Sequence, residues 1–255
     1  LRVIPSNSGG AVLSRALLER RGDEVDIVRL EKSDDWKEVA ESVRQAEIDI
    51  WCAINLLPLT QNLDESREHV LGMDFARSGD LSVITPLVIE QNMQRRLPFA
   101  VELRNIPHAQ QRQILFYLLD RLPRFSAAWL DATGNGEYLA EAAYDRYGKI
   151  INPVKLSNAW YSEHMPPFIA ALEDDALRIA KDSEMIDDLR ALERIDGIIK
   201  LGKKRTGKDK NRHGDSAIAL CLAYAASRAD NVLPVEVAIE DSEDRFLDMA
   251  AYREY

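Results

Sequence analysis

Between residues 70 and 106 three apolar runs follow one another with no room for a helix between them. They occupy 70–75, 81–90 and 99–106, and short polar turns such as Arg77-Ser78-Gly79-Asp80 separate them. Strands joined this tightly pair as antiparallel neighbours. From 107 onward the pattern changes. An amphipathic helix over 107–122 carries Ile114, Leu115, Leu118 and Leu119 on one side. A strand over 125–130 follows, then a helix from Gly134-Asn135-Gly136 through Tyr147, a strand over 150–156, and a helix over about 165–172. Residues 176–180 and 195–201 read as extended, and Ser183 caps a short helix between them. Residues 216–228 form a strongly apolar helix. Hairpin strands followed by helical crossovers require a mixed sheet with helices on both faces. Pro86 predicts a bulge or an edge position in the second strand.

The order βββαβαβα is that of an α/β, ribonuclease H-like fold. In that arrangement the first strand is central and the fourth lies beside it. Three acids then gain a common address. Asp74 closes the first strand, Asp131 closes the fourth, and Asp215 opens the last helix in His213-Gly214-Asp215. A carboxylate at the end of a buried run is costly unless something compensates it. Three together repel one another and raise one another's pKa values. A divalent cation removes the conflict, and hard cations such as Mg²⁺ take oxygen ligands. Two ions about 4 Å apart can hold the attacking and leaving oxygens of a phosphodiester displacement. On this reading Asp74 bridges two ions, while Asp131 and Asp215 complete one each. Asp80 is an auxiliary ligand or a turn carboxylate. His213 contacts a phosphate or orients Asp215, or is a polar residue at a helix start. His69, His108 and His164 are read as structural. Gly134 and Gly136 suit a tight strand-to-helix turn.

The formal net charge of −10 excludes a generally basic surface. One segment nevertheless concentrates cations: Lys200, Lys203, Lys204, Arg205, Lys208, Lys210 and Arg212, directly before Asp215. Such a run is either a solvated loop or a contact for a phosphate backbone. Its Gly202 to Lys208 portion fails the phosphate-loop pattern because Asp209 follows Lys208. No nucleotide-triphosphate site and no nucleophile elbow are present in the sequence. Cys52 and Cys221 are the only cysteines, which suits a reducing compartment without disulfides or a zinc site. No apolar run reaches the roughly 18 residues of a membrane span.

Residues 1–64 read as a preface. They hold helices over 11–20 and 36–46 and an apolar stretch over 48–59, either a strand or a packing segment. Polar residues 61–68 mark a boundary. The chain does not begin with Met, so a fragment of a longer protein is expected. Residues 230–255 form an acidic tail.

The motifs resemble those of a known family. Gly72-Met73-Asp74-Phe75-Ala76-Arg77-Ser78-Gly79-Asp80 resembles the first nuclease motif of bacteriophage large terminase subunits. Asp131-Ala132-Thr133-Gly134-Asn135-Gly136 is similar to the second, and Arg212-His213-Gly214-Asp215-Ser216-Ala217-Ile218-Ala219-Leu220 to the third. Leu172 to Ile179 resembles the segment between the last two, and the Mu-like phages offer the nearest subfamily. The resemblance implies a metal-dependent endonuclease that cuts double-stranded DNA during genome packaging, with Mg²⁺ or Mn²⁺ on Asp74, Asp131 and Asp215 and Asp80 assisting. It implies a nuclease domain over 65–229, with 1–64 a connector following an absent N-terminal ATPase domain. It further implies work in the host cytoplasm beside a portal and a small terminase subunit, with Lys203, Lys204, Arg205, Lys208, Lys210, Arg212 and His213 against DNA. Two competing readings remain: another enzyme of this fold, such as a junction resolvase or transposase, and a non-catalytic module that docks on DNA or the portal.

Overall fold

The computed structural model describes residues 11–75, 81–134, 136–202, 206 and 212–229. In chain order the elements are α1 (Arg15–Arg21), β1 (Gly22–Asp23), β2 (Asp26–Glu31), α2 (Glu41–Asn55), α3 (Leu57–Gln61), β3 (Glu68–Asp74), β4 (Leu81–Ile89), β5 (Arg95–Arg96) and β6 (Phe99–Arg104). They continue as α4 (His108–Leu119), β7 (Phe125–Asp131), α5 (Gly136–Tyr147), β8 (Ile151–Val154), α6 (Asn158–Glu173), β9 (Leu177–Ala180), α7 (Ser183–Arg190), β10 (Leu192–Ile195), β11 (Ile198–Leu201) and α8 (Asp215–Ala226).

The main sheet runs β1-β9-β5-β4-β3-β7-β8, and β6 pairs with β4 and carries β2 on its other side. β3 lies between antiparallel β4 and parallel β7, so the first of the three hairpin strands is interior and the fourth expected strand is its neighbour. Side chains alternate across a strand. Leu71 and Met73 of β3 and Ala128 and Leu130 of β7 enter a core with α2, α4 and α5. Val70 and Ala127 face the opposite core, filled by α6, α7 and α8. Gly72 faces α8 as well, since a Cβ there would strike the backbone at Ala219 and Ala223. The same alternation turns Asp74 and Asp131 toward α8.

Pro86 sits opposite Leu71 inside an interior strand. Pairing of β4 with β6 ends at Ile84, and pairing with β5 begins at Val88. The proline falls in that gap, an edge-like stretch where β4 has no ladder on its far side. Residues 48–59 are helical, which decides against a strand. Ile48, Cys52 and Leu56 recur every four residues and form one buried helical stripe. The helix expected near 165 begins earlier, at Asn158, where Ser157 Oγ accepts the Trp160 amide, and it continues through Pro166 and Pro167. β2, largely charged and half exposed, left no alternating signal in the sequence.

Residues 11–63 are integrated into this body. β2 pairs in parallel with β6 over 26–31, and β1 pairs with β9. Leu13 and Leu18 enter the α8-side core, while Trp36, Ile48 and Leu56 enter the other. Cys52 and Cys221 are buried and free. Among the described residues no helix is long and apolar enough to cross a membrane.

Candidate metal centre

The last described pair of the β3–β7 ladder is Met73 with Leu130. One residue further on, each strand ends in an aspartate, so Asp74 and Asp131 are side by side on the α8 face. They are close enough for the charge of Asp131 to raise the Asp74 carboxyl. Asp131 is 6% exposed, and one of its oxygens accepts the Thr133 amide at 2.8 Å. The turn that follows needs its glycines. Gly134 has φ +61°, and a Cβ on Gly136 would lie 2.2 Å from the Asp131 carbonyl oxygen. Without that glycine α5 could not begin so close to the strand end.

Asp215 arrives from the other layer. Gly214 caps α8 with φ 82°, in the left-handed region that favours glycine. Asp215 is 6% exposed, and its Oδ2 accepts the His213 amide at 3.0 Å. The orienting role weighed for His213 therefore has a backbone component, whatever its ring does.

Electrostatics ties the three acids together. Burial, then the charges of Asp215, Asp131 and Asp188, push the Asp74 carboxyl well above the usual carboxylate range. Burial also raises Asp131, against the opposing Thr133 hydrogen bond. Asp215 is pushed up to about 6 by burial, opposed by the His213 amide and reinforced by Asp188. The cluster thus holds more negative charge than its surroundings can solvate, and a proton or a cation must relieve it. Its donors are hard oxygens, which suit Mg²⁺ or Mn²⁺. Among the described residues no three His, Cys, Asp or Glu side chains converge tightly enough to hold an ion as they stand. A fit of the donor chemistry is therefore present without a closed coordination shell.

No protein-family model matches the chain. It is 43% identical over 244 residues to the probable terminase large subunit gp28 of Escherichia phage Mu, covering 93% of this chain and 44% of that protein. It is 41% identical over 228 residues to the Mu-like prophage FluMu protein gp28 of Haemophilus influenzae, covering 88% of this chain and 45% of that protein. The chain belongs with the large terminase subunits of Mu-like phages. It spans less than half the length of these relatives. The fold is also that of solved terminases. The large terminase nuclease of thermophilic phage G20c with bound magnesium superimposes with a TM-score of 0.51 at 19% identity, over 62% of this chain and 81% of that one. The HK97 bacteriophage large terminase gives 0.55 at 10% identity, over 87% of this chain and 44% of that one. The mixed sheet with helices on both faces is accordingly ribonuclease H-like, as its element order predicted.

One expected DNA contact is differently employed. Arg212 is buried, at 2% exposure. Its guanidinium is committed to Asp188 (Nη2 to Oδ2, 2.7 Å) and to Glu102 (Nη2 to Oε1, 2.8 Å). A cation so enclosed cannot meet a phosphate, and this corrects the DNA-contact assignment of Arg212. Asp80, Lys203, Lys204, Arg205, Lys208 and Lys210 lie outside the described residues, as does the acidic tail. Among the histidines read as structural, His69 is buried and its Nδ1 donates to the Pro123 carbonyl at 2.7 Å. His164 stacks edge-on with Trp129, but His108 packs on Phe75, next to Asp74, closer to the centre than the sequence implied.

Sequence reasoning missed two neighbours of the centre. The Tyr161 hydroxyl, on α6, is pushed up by burial and by the charges of Asp74 and Asp131. Asp188, on α7, is fully buried. A signal for it existed, because Asp188 falls three residues after Met185 and next to Leu189, on the buried stripe of its helix.

Proposed function

We propose that this chain is the nuclease half of a DNA-packaging terminase, a metal-dependent endonuclease that cuts double-stranded DNA. The observation that carries this reading is the presentation of Asp74, Asp131 and Asp215 on one face, from two adjacent strand ends and one helix start. Two divalent ions, Mg²⁺ or Mn²⁺, would supply hydroxide from a bound water and stabilise the leaving 3′ oxygen. Asp74, flanked by the other two acids, would bridge. Asp131, steadied by the Thr133 amide, and Asp215, steadied by the His213 amide, would each keep an oxygen for one ion. Asp80 would assist, and Lys203, Lys204, Arg205, Lys208 and Lys210 would hold the DNA backbone without reading bases. His213 would meet a phosphate beside them.

In the longer protein, residues 1–64 would follow an N-terminal ATPase domain, with β1 and β2 built into the sheet of the catalytic unit over 65–229, and 230–255 would form an acidic tail. The partners would be DNA, that ATPase domain, the portal and the small terminase subunit, within the host cytoplasm. The lengths of the gp28 relatives, about twice the span matched, support the existence of a further domain.

The test is cleavage of supercoiled plasmid in Mn²⁺ or Mg²⁺. Asp74→Ala is expected to lower the rate by about a thousandfold or more, the several kcal/mol that a bridging ligand contributes to charge stabilisation. An Asp74→Ala chain that cuts at the wild-type rate rejects the reading. Preference for branched over linear and plasmid DNA would point instead to a resolvase.

A further inference from the structure

The start of α8 is capped from outside its own segment. Gly214 has no side chain to accept the free amides of the first turn. Asp188 takes that place from α7, its Oδ2 accepting the Ser216 amide at 3.2 Å. The same carboxylate accepts Arg212 Nε and Nη2 and the Thr206 hydroxyl, the latter at 2.5 Å. Arg212 Nη2 also donates to Ser216 Oγ at 2.8 Å and reaches Glu102 on β6. Glu102 in turn accepts Arg29 Nε at 2.8 Å. Asp215 is therefore bounded on both sides by residues whose positions Asp188 and Arg212 fix, one by backbone (Ser216) and one by chain connection (His213). Thr206 and Arg212 pair through their backbones, with the Thr206 amide 2.8 Å from the Arg212 carbonyl. Both residues thus meet at Asp188.

We infer that Asp188 is a positioning residue of the metal centre: it acts through Arg212 and the Ser216 amide to hold the Asp215 carboxylate where a cation needs it. This rests on the reading of Asp215 as a metal ligand. Asp188 is not itself a ligand, because it is fully buried and both its oxygens are occupied by donors. Its charge nevertheless reaches the centre, raising both Asp74 and Asp215. Partners of this kind, one shell removed from an ion, typically change metal affinity by about 10–100-fold.

The experiment is Mn²⁺ binding to the whole chain, without DNA, measured by calorimetry or by the loss of the free-ion resonance signal. Asp188→Asn keeps the shape and one acceptor but removes the charge. A folded Asp188→Asn chain is expected to bind Mn²⁺ about tenfold more weakly. At saturating Mn²⁺ its kcat on plasmid falls while its KM for DNA stays within about twofold, a split that loss of folded protein alone does not produce. A folded variant with wild-type Mn²⁺ affinity overturns the assignment. If Asp188→Asn does not fold, Ser216→Ala decides. It removes only the Arg212 contact at a helical site that accepts alanine, and about threefold weaker Mn²⁺ binding supports the inference. Unchanged binding sinks it. Asp215→Asn is run beside them. If it binds Mn²⁺ like wild type, or wild type binds none, the ligand role of Asp215 falls, and the Asp188 role falls with it. Loss in Asp215→Asn with none in Asp188→Asn rejects the positioning role alone.

Discussion

Gly72→Ala is expected to disable the protein more thoroughly than any single substitution outside the acids. A Cβ at Gly72 would lie 2.1 Å from the Ala219 carbonyl oxygen and 2.3 Å from the Ala223 amide nitrogen. Both are backbone atoms of α8, so no side-chain rotation relieves the clash, and helix and strand must separate. Overpacking of a close-packed core costs about 1–3 kcal/mol, and a backbone clash belongs at the upper end. About 3 kcal/mol corresponds to a fall in Tm of about 6–12 °C for a domain of this size. The displacement also has a chemical consequence. β3 carries Asp74 and α8 carries Asp215, so this contact sets the distance between them. A shift of about 1 Å is expected to cost about a hundredfold in cleavage rate even in the molecules that remain folded. Thermal melting and plasmid cleavage, each compared with wild type, check the two effects separately. A Gly72→Ala chain with wild-type Tm would show that α8 does not press on β3 as described.

That contact also explains why part of the centre is legible in sequence and part is not. Asp74 and Asp131 close near-continuous apolar runs, so strand order alone puts them at neighbouring strand ends, and the Met73–Leu130 register puts them on one face. Asp215 stands between a glycine and an apolar helix, a local signature of a helix start. Arg212 sits in the same stretch but its partners do not: Glu102 is 110 residues away and Asp188 is 24 away. Nothing local distinguishes a buried arginine from its solvated neighbours, and the surrounding lysines gave it a DNA-facing reading. β2 was hidden for a similar reason. A half-exposed strand with two acids and an arginine has no period to read, and only pairing with β6 over 26–31 makes it a strand. The helix over 48–55 was ambiguous because short apolar runs fit either period until burial selects one face.

Asp215→Asn is expected to separate stability from activity in opposite directions. Burial pushes the wild-type carboxyl up to about 6 in the folded chain, from an ordinary 3.8. Between those values the folded state binds more protons than the unfolded state. Wild-type stability therefore falls as pH rises through this window, and the penalty is complete above about pH 6. Asparagine carries no charge and pays none of it, yet its side-chain oxygen can still accept the His213 amide. A shift of about two units corresponds to about 3 kcal/mol. Loss of a favourable negative charge at the helix start returns up to about 1 kcal/mol of that. The expected net gain for metal-free Asp215→Asn is about 2 kcal/mol at pH 7.5, seen as a higher Tm in chelator, and it disappears near pH 4, where wild type is also neutral. Added Mn²⁺ reverses the ranking. An ion that binds only the folded state stabilises wild type in proportion to the logarithm of its concentration over Kd, and the variant has lost one of its ligands. Cleavage falls in the same variant. Melting curves at pH 4 and 7.5, with chelator and with Mn²⁺, test all four corners. A variant less stable than wild type in chelator at pH 7.5 would mean that burial and the Asp188 charge do not penalise the Asp215 carboxylate there. A Tm gain from Mn²⁺ equal in both chains would mean that Asp215 contributes nothing to holding the ion.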